Sequence, residues 1–125
     1  MLKSILFVSL GSFVGGSLRY VVGRWLPAFT GQGFPYATLA VNLVGCLLIG
    51  FFYGLFERGQ LLNPHLRLFL TVGICGGFTT FSTFVNENFH LLRNDNVVCM
   101  FGYLSLSVLG GFALLYLGYM LAKLL

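Results

Sequence analysis

Acidic residues are almost missing: Glu57, Glu87 and Asp95 are the only carboxylates in 125 residues. Each is expected at or beyond the end of an apolar run, and the first two runs contain no acid inside them. A small four-helix, proton-coupled drug exporter needs a membrane-embedded carboxylate to exchange protons for its substrate. That scarcity argues for a passive pathway. Histidine is scarce too: His65 and His90 lie near run ends, with no nucleophile at a telling spacing, so the makings of an enzyme site are lacking. The three cysteines, Cys46, Cys75 and Cys99, form no CxxC or Cys/His pattern. A zinc site is not indicated, and small apolar filler is the better reading. Charged residues make up 8% of the chain, against roughly 25% in soluble domains, so the polar surface of a soluble fold is missing. Seven Lys and Arg, scattered singly, form no stripe for nucleic acid.

What is present is apolar. Hydrophobic residues reach 58% and the mean hydropathy is +0.92, so lipid is the fitting solvent. A membrane span needs about 20 mostly apolar residues. Four stretches meet that length, at about residues 4–26, 34–56, 67–92 and 97–123. The chain therefore reads as one all-α transmembrane domain over residues 1–125. Lys3 and the apolar run behind it resemble a signal peptide, but no small-residue cleavage site follows and Arg19 interrupts the run. It is taken as the first span. Pro27 and Gly31-Gln32-Gly33 mark a loop, residues 57–66 a second, and Arg93-Asn94-Asp95-Asn96 a third.

Four crossings put both termini on one side, with Lys3, Arg58, Arg67 and Lys123. The other side holds Arg24 and Arg93, and Arg19 if it reaches the interface. That is a weak bias under the positive-inside rule, and it permits insertion in both orientations. Glycines four apart, Gly11/Gly15, Gly50/Gly54 and Gly73/Gly77, suit close helix packing in a compact bundle.

The third stretch is unusual. Gly76-Gly77-Phe78-Thr79-Thr80-Phe81-Ser82-Thr83-Phe84 sets two glycines before four hydroxyl residues. Glycine and threonine lower helix propensity, so a helix break is expected here, near mid-membrane. Freed carbonyls survive in hydrocarbon only when buried in protein or lining a wet cavity, and in that setting they ligate monovalent cations. The bland alternative is a Ser/Thr-rich helix bonding back on its own turns.

This run resembles the signature of the Fluc (CrcB) fluoride channels. Gly15-Gly16-Ser17-Leu18-Arg19-Tyr20, Asn42 within Thr38-Leu39-Ala40-Val41-Asn42-Leu43-Val44-Gly45, and the overall length agree with it. The resemblance implies a passive fluoride-selective channel of the bacterial inner membrane that confers fluoride resistance. It also implies an antiparallel, dual-topology homodimer with two pores, each lined by both subunits. Phe81 and Phe84 are then the pore phenylalanines, whose positive ring edges contact an anion without trapping it. Asn42 becomes a hydrogen-bond donor to fluoride, with Thr38 one turn earlier on the same face. Ser82 and Thr83 join the pore lining. Tyr103 and Ser107 form a hydroxyl track whose next position is Gly111, where some relatives carry Ser. Ser105 lies on another face.

The resemblance further implies a structural sodium on the dimer axis, held by the backbone carbonyls of Gly76 and Thr79. An ion on a two-fold axis receives each carbonyl twice. Arg19 is implied to be a structural or vestibule residue that attracts anions. Glu87 is a pore-mouth residue or a plain helix-end charge. Each Phe and Asn42 has an ordinary packing alternative, and composition is equally compatible with a non-conducting membrane subunit.

Overall fold

The chain's structure, a computed structural model, describes residues 1–26, 34–59 and 63–124. The loop expected at Pro27 and Gly31-Gln32-Gly33 lies outside the described residues. Helix α1 runs Leu2–Trp25 and α2 Tyr36–Glu57. The third stretch is composite: α3 is Pro64–Leu68, a π-helical segment covers Phe69–Cys75, α4 is Gly76–Phe78 and α5 is Ser82–Arg93. Helix α6 spans Val97–Leu124. No strand occurs among the described residues. Four stretches, Leu2–Trp25, Tyr36–Glu57, Pro64–Arg93 and Val97–Leu124, are long and apolar enough to cross a membrane. With 24 residues, α1 rises about 36 Å, which exceeds a hydrocarbon core of about 30 Å.

Local chemistry explains the boundaries. The Asn63 side chain accepts the N–H groups of His65 and Leu66 at 2.9 and 3.3 Å, and Pro64 fills the first helical position. Both are helix-start signals, and they begin the third stretch ahead of the apolar run at Arg67. The ladder then widens. Thr71 Oγ1 donates to the Arg67 carbonyl at 2.7 Å, the acceptor its own N–H would use in an α-helix. Irregularity in this stretch thus starts at Phe69, ahead of the glycine pair. At the other end α4 stops at Phe78 and Thr79 turns extended, with φ −91° and ψ 162°.

Two helix pairings build the bundle. Helix α1 packs against the third stretch as far as α4, and α2 packs along α6, with α5 also touching α6. Backbones touch where glycines meet. A Cβ on Gly11 would stand 2.5 Å from the Phe69 carbonyl oxygen, and one on Gly73 would stand 2.8 Å from the Gly11 Cα. A Cβ on Gly54 would meet that of Ala122 at 2.6 Å. Gly118, not among the glycine pairs, faces the α2 backbone at Leu47 and Phe51 in the same way.

One end of the bundle collects charge. Tyr119 donates its hydroxyl to Glu57 at 2.6 Å, and Lys123 pairs with Glu57 at 3.5 Å. Arg58 Nη1 donates to the Ala122 carbonyl at 2.9 Å, while the Arg67 guanidinium lies 4.3 Å above the Phe56 ring. A cation on the last carbonyls of α6 stabilises that helix end by about 0.3–1 kcal/mol. Phe7 of α1 stacks on His65 at 5.0 Å, which brings the N-terminal half of α1 alongside α3.

Candidate functional site

The interruption at residues 79–81 organises the site. In a continuous helix the Thr80 N–H would bond the Gly76 carbonyl, and the Thr83 N–H would bond that of Thr79. Both donors go elsewhere. Thr80 N–H donates to Asn42 Oδ1 at 2.8 Å, and Asn42 Nδ2 donates back to the Thr80 carbonyl at 3.0 Å. Thr83 N–H donates to Thr80 Oγ1 at 3.3 Å. Arg19 Nε reaches the Gly77 carbonyl at 3.3 Å, another acceptor freed by the interruption. Thr79 N–H and Oγ1 both bond the Cys75 carbonyl, at 3.1 and 2.9 Å. Arg19 of α1 and Asn42 of α2 therefore brace the same short segment.

Below the interruption an open groove of about 500 Å³ is lined by Asn42, Gly76, Thr79, Thr80, Phe81, Phe84 and Ser107, with apolar walls from Ile49, Val108 and Leu115. The two phenylalanine rings stand 6.1 Å apart at 42°. They differ in burial: Phe84 is 9% exposed, whereas Phe81 is 76% exposed. Phe84 also meets Tyr103 edge-on, at 4.9 Å and 63°. Ser107 lines this groove, and its Oγ is buried with no partner among the described residues. Gly111 follows on the same helix, and a side chain there would meet Cys46 Sγ at 3.3 Å.

A second cleft, lined by Arg19, Tyr20, Arg24, Ala37, Thr38 and Val41, lies between α1 and α2. Thr38 of this cleft also meets Glu87. Thr38 Oγ1 and the Tyr103 hydroxyl donate to its two carboxylate oxygens, each at 2.9 Å. All three residues are buried. This corrects the expectation that Glu87 lies at a span end. It faces inward from α5, and two hydroxyls satisfy it as buried carboxylates require. A buried carboxylate thus lies within the third membrane stretch, where a proton-coupled exporter would need one. Tyr103 spends its hydroxyl on Glu87, so Ser107 alone of that pair offers a free one.

Among the remaining expected residues, Ser82 is exposed at the start of α5, Thr83 contributes its backbone N–H, and Ser105 is exposed on α6. Thr80 was missed as an individual residue. Its signal was available: threonine just before a helix is a common capping side chain.

The chain's relatives agree along its length. The family described as CrcB-like protein, Camphor Resistance (CrcB), matches residues 6–119. The fluoride-specific ion channel FluC of Chlorobium phaeobacteroides (strain BS1) is 49% identical over 121 residues, covering 97% of this chain and 94% of that protein. The protein of the same name from Chlorobaculum tepidum is 47% identical, covering 99% and 98%. That from Flavobacterium psychrophilum is 42% identical, covering 98% of each. With matches of that extent, this chain belongs to the CrcB family.

Proposed function

We propose that the protein is a fluoride-specific ion channel that moves the anion passively across the membrane. The observation that carries this is 42–49% identity, over nearly the full length, to proteins bearing that name, joined to a groove where anion-compatible groups converge. Those groups are the ring edges of Phe81 and Phe84, the Ser107 hydroxyl, and the Asn42 N–H that remains beyond its bond to Thr80. Neutral donors and ring edges attract an anion weakly enough to let it leave, which conduction requires. Arg19 and Arg24 line the neighbouring cleft and raise the local anion concentration there. Thr38, Glu87 and Tyr103 form the polar seam between cleft and groove.

The groove is open on one protomer, and Phe81 projects from it. A second, antiparallel copy closes it and generates two equivalent pathways. The break lies near mid-membrane, and the diverted amides leave the Gly76 and Thr79 carbonyls without their helical donors. These carbonyls fit a monovalent cation: they are hard, neutral oxygens that Thr80 and Thr83 no longer cover. Held by these carbonyls in both copies, a sodium ion would tie the two interrupted helices together. The protein resides in the bacterial inner membrane. An inside-negative potential drives anions outward by about 2.3 kcal/mol per charge at 100 mV, which lowers cytoplasmic fluoride without ATP.

Purified protein in liposomes tests this. The expected result is fluoride efflux with chloride retained when the potential is clamped. Retention of both ions would point instead to a non-conducting membrane subunit.

A further inference from the structure

We infer that Asn42 and Thr80 are positioning residues for the central cation: their side chains take the two amide donors that would otherwise cover its carbonyl ligands. This rests on the sodium-braced reading above and gives Asn42 a task separate from any contact with fluoride. The two carbonyls at issue, Gly76 and Thr79, are each one helical turn before an amide that a side chain has captured. Asn42 captures the first and Thr80 Oγ1 the second. Arg19 meanwhile occupies the Gly77 carbonyl, so the neighbour that would compete as a ligand is already bonded. For Gly76, Gly77 and Thr79, which carbonyl stays uncovered thus depends on which side chain bonds which backbone group.

The consequence of removal follows from the membrane setting. A backbone N–H without a partner is strongly disfavoured away from water. If Asn42 loses its oxygen, the Thr80 N–H returns to the Gly76 carbonyl, its helical acceptor. If Thr80 loses its hydroxyl, the Thr83 N–H returns to the Thr79 carbonyl. Each change re-covers one ligand per subunit, which is two per ion by symmetry.

Sodium-dependent melting of the purified full-length protein reads this without reference to transport, with N-methylglucamine chloride replacing sodium chloride at constant ionic strength. Wild type is expected to melt higher as sodium is raised, because an ion bound only by the folded dimer stabilises it. For Asn42→Leu and Thr80→Val the sodium concentration for half the effect should rise about tenfold or more. Asn42→Asp retains an acceptor for the Thr80 N–H, and Thr80→Ser retains the hydroxyl, so both keep the sodium response. A full sodium response in both Asn42→Leu and Thr80→Val would overturn the inference. So would a wild type that melts without regard to sodium while still passing fluoride. A sodium response that follows this pattern in protein passing no fluoride would leave the inference standing and remove the channel reading.

Discussion

At the scale of single residues, Phe81 and Phe84 separate ring-edge conduction from simple packing. Isoleucine keeps much of the bulk and removes the quadrupole that makes a ring edge positive. Phe81→Ile and Phe84→Ile are therefore expected to abolish fluoride efflux while size-exclusion chromatography still gives the wild-type elution profile of folded protein. Wild-type efflux in both would remove the rings from the pathway. Asn42→Asp is expected to cut efflux strongly through repulsion of the anion; unaltered efflux would take Asn42 out of the pore. Glu87 is a matter of stability as well. Glu87→Ala leaves the hydroxyls of Thr38 and Tyr103 unpaired in a buried seam, at a cost of about 1–3 kcal/mol. Thermal melting checks it, and a melting temperature unchanged from wild type would show that the seam contributes nothing. The sequence marks Phe81, Phe84 and Asn42 by motif and polarity. It does not mark the Glu87 seam, because its partners lie far apart in the chain, on α2 and α6.

At the scale of elements, hydropathy is enough to find four crossings, since any run of apolar residues at membrane length must bury its backbone in a helix. It is silent about the π-helical segment Phe69–Cys75, whose sequence Phe-Leu-Thr-Val-Gly-Ile-Cys is ordinary for a span. Its visible correlate is a hydrogen bond, that of Thr71 Oγ1 to the Arg67 carbonyl, which composition does not reveal. Glycine spacing identifies Gly11 and Gly73 as contact residues, but Gly118 has no glycine four residues away, only Ala122, and its contact shows in its approach to Leu47. Gly73→Leu and Gly118→Leu are each expected to prevent assembly or lower the melting temperature. Backbone atoms, which cannot rotate aside, block the added side chain. Melting of either variant at the wild-type temperature would mean that the helices separate freely at these contacts.

At the scale of the whole molecule, most of the surface is apolar: Phe13, Trp25, Phe112 and Tyr116 are all exposed on the protomer. Lipid would cover them, together with the second copy proposed above. Arg58, Arg67 and Lys123 gather at one end, and the overall charge bias between the two ends is weak. Reporter fusions at the C-terminus are expected to give both cytoplasmic and periplasmic signals, as insertion in two orientations requires; a single orientation would contradict the proposed antiparallel dimer. The most direct measurement for the molecule is current through a planar bilayer, with opposed gradients of fluoride, chloride and protons. The expected current reverses at the equilibrium potential of fluoride and ignores the other two gradients. A reversal that follows protons or chloride, or no current at all from folded protein, would contradict a passive fluoride pore.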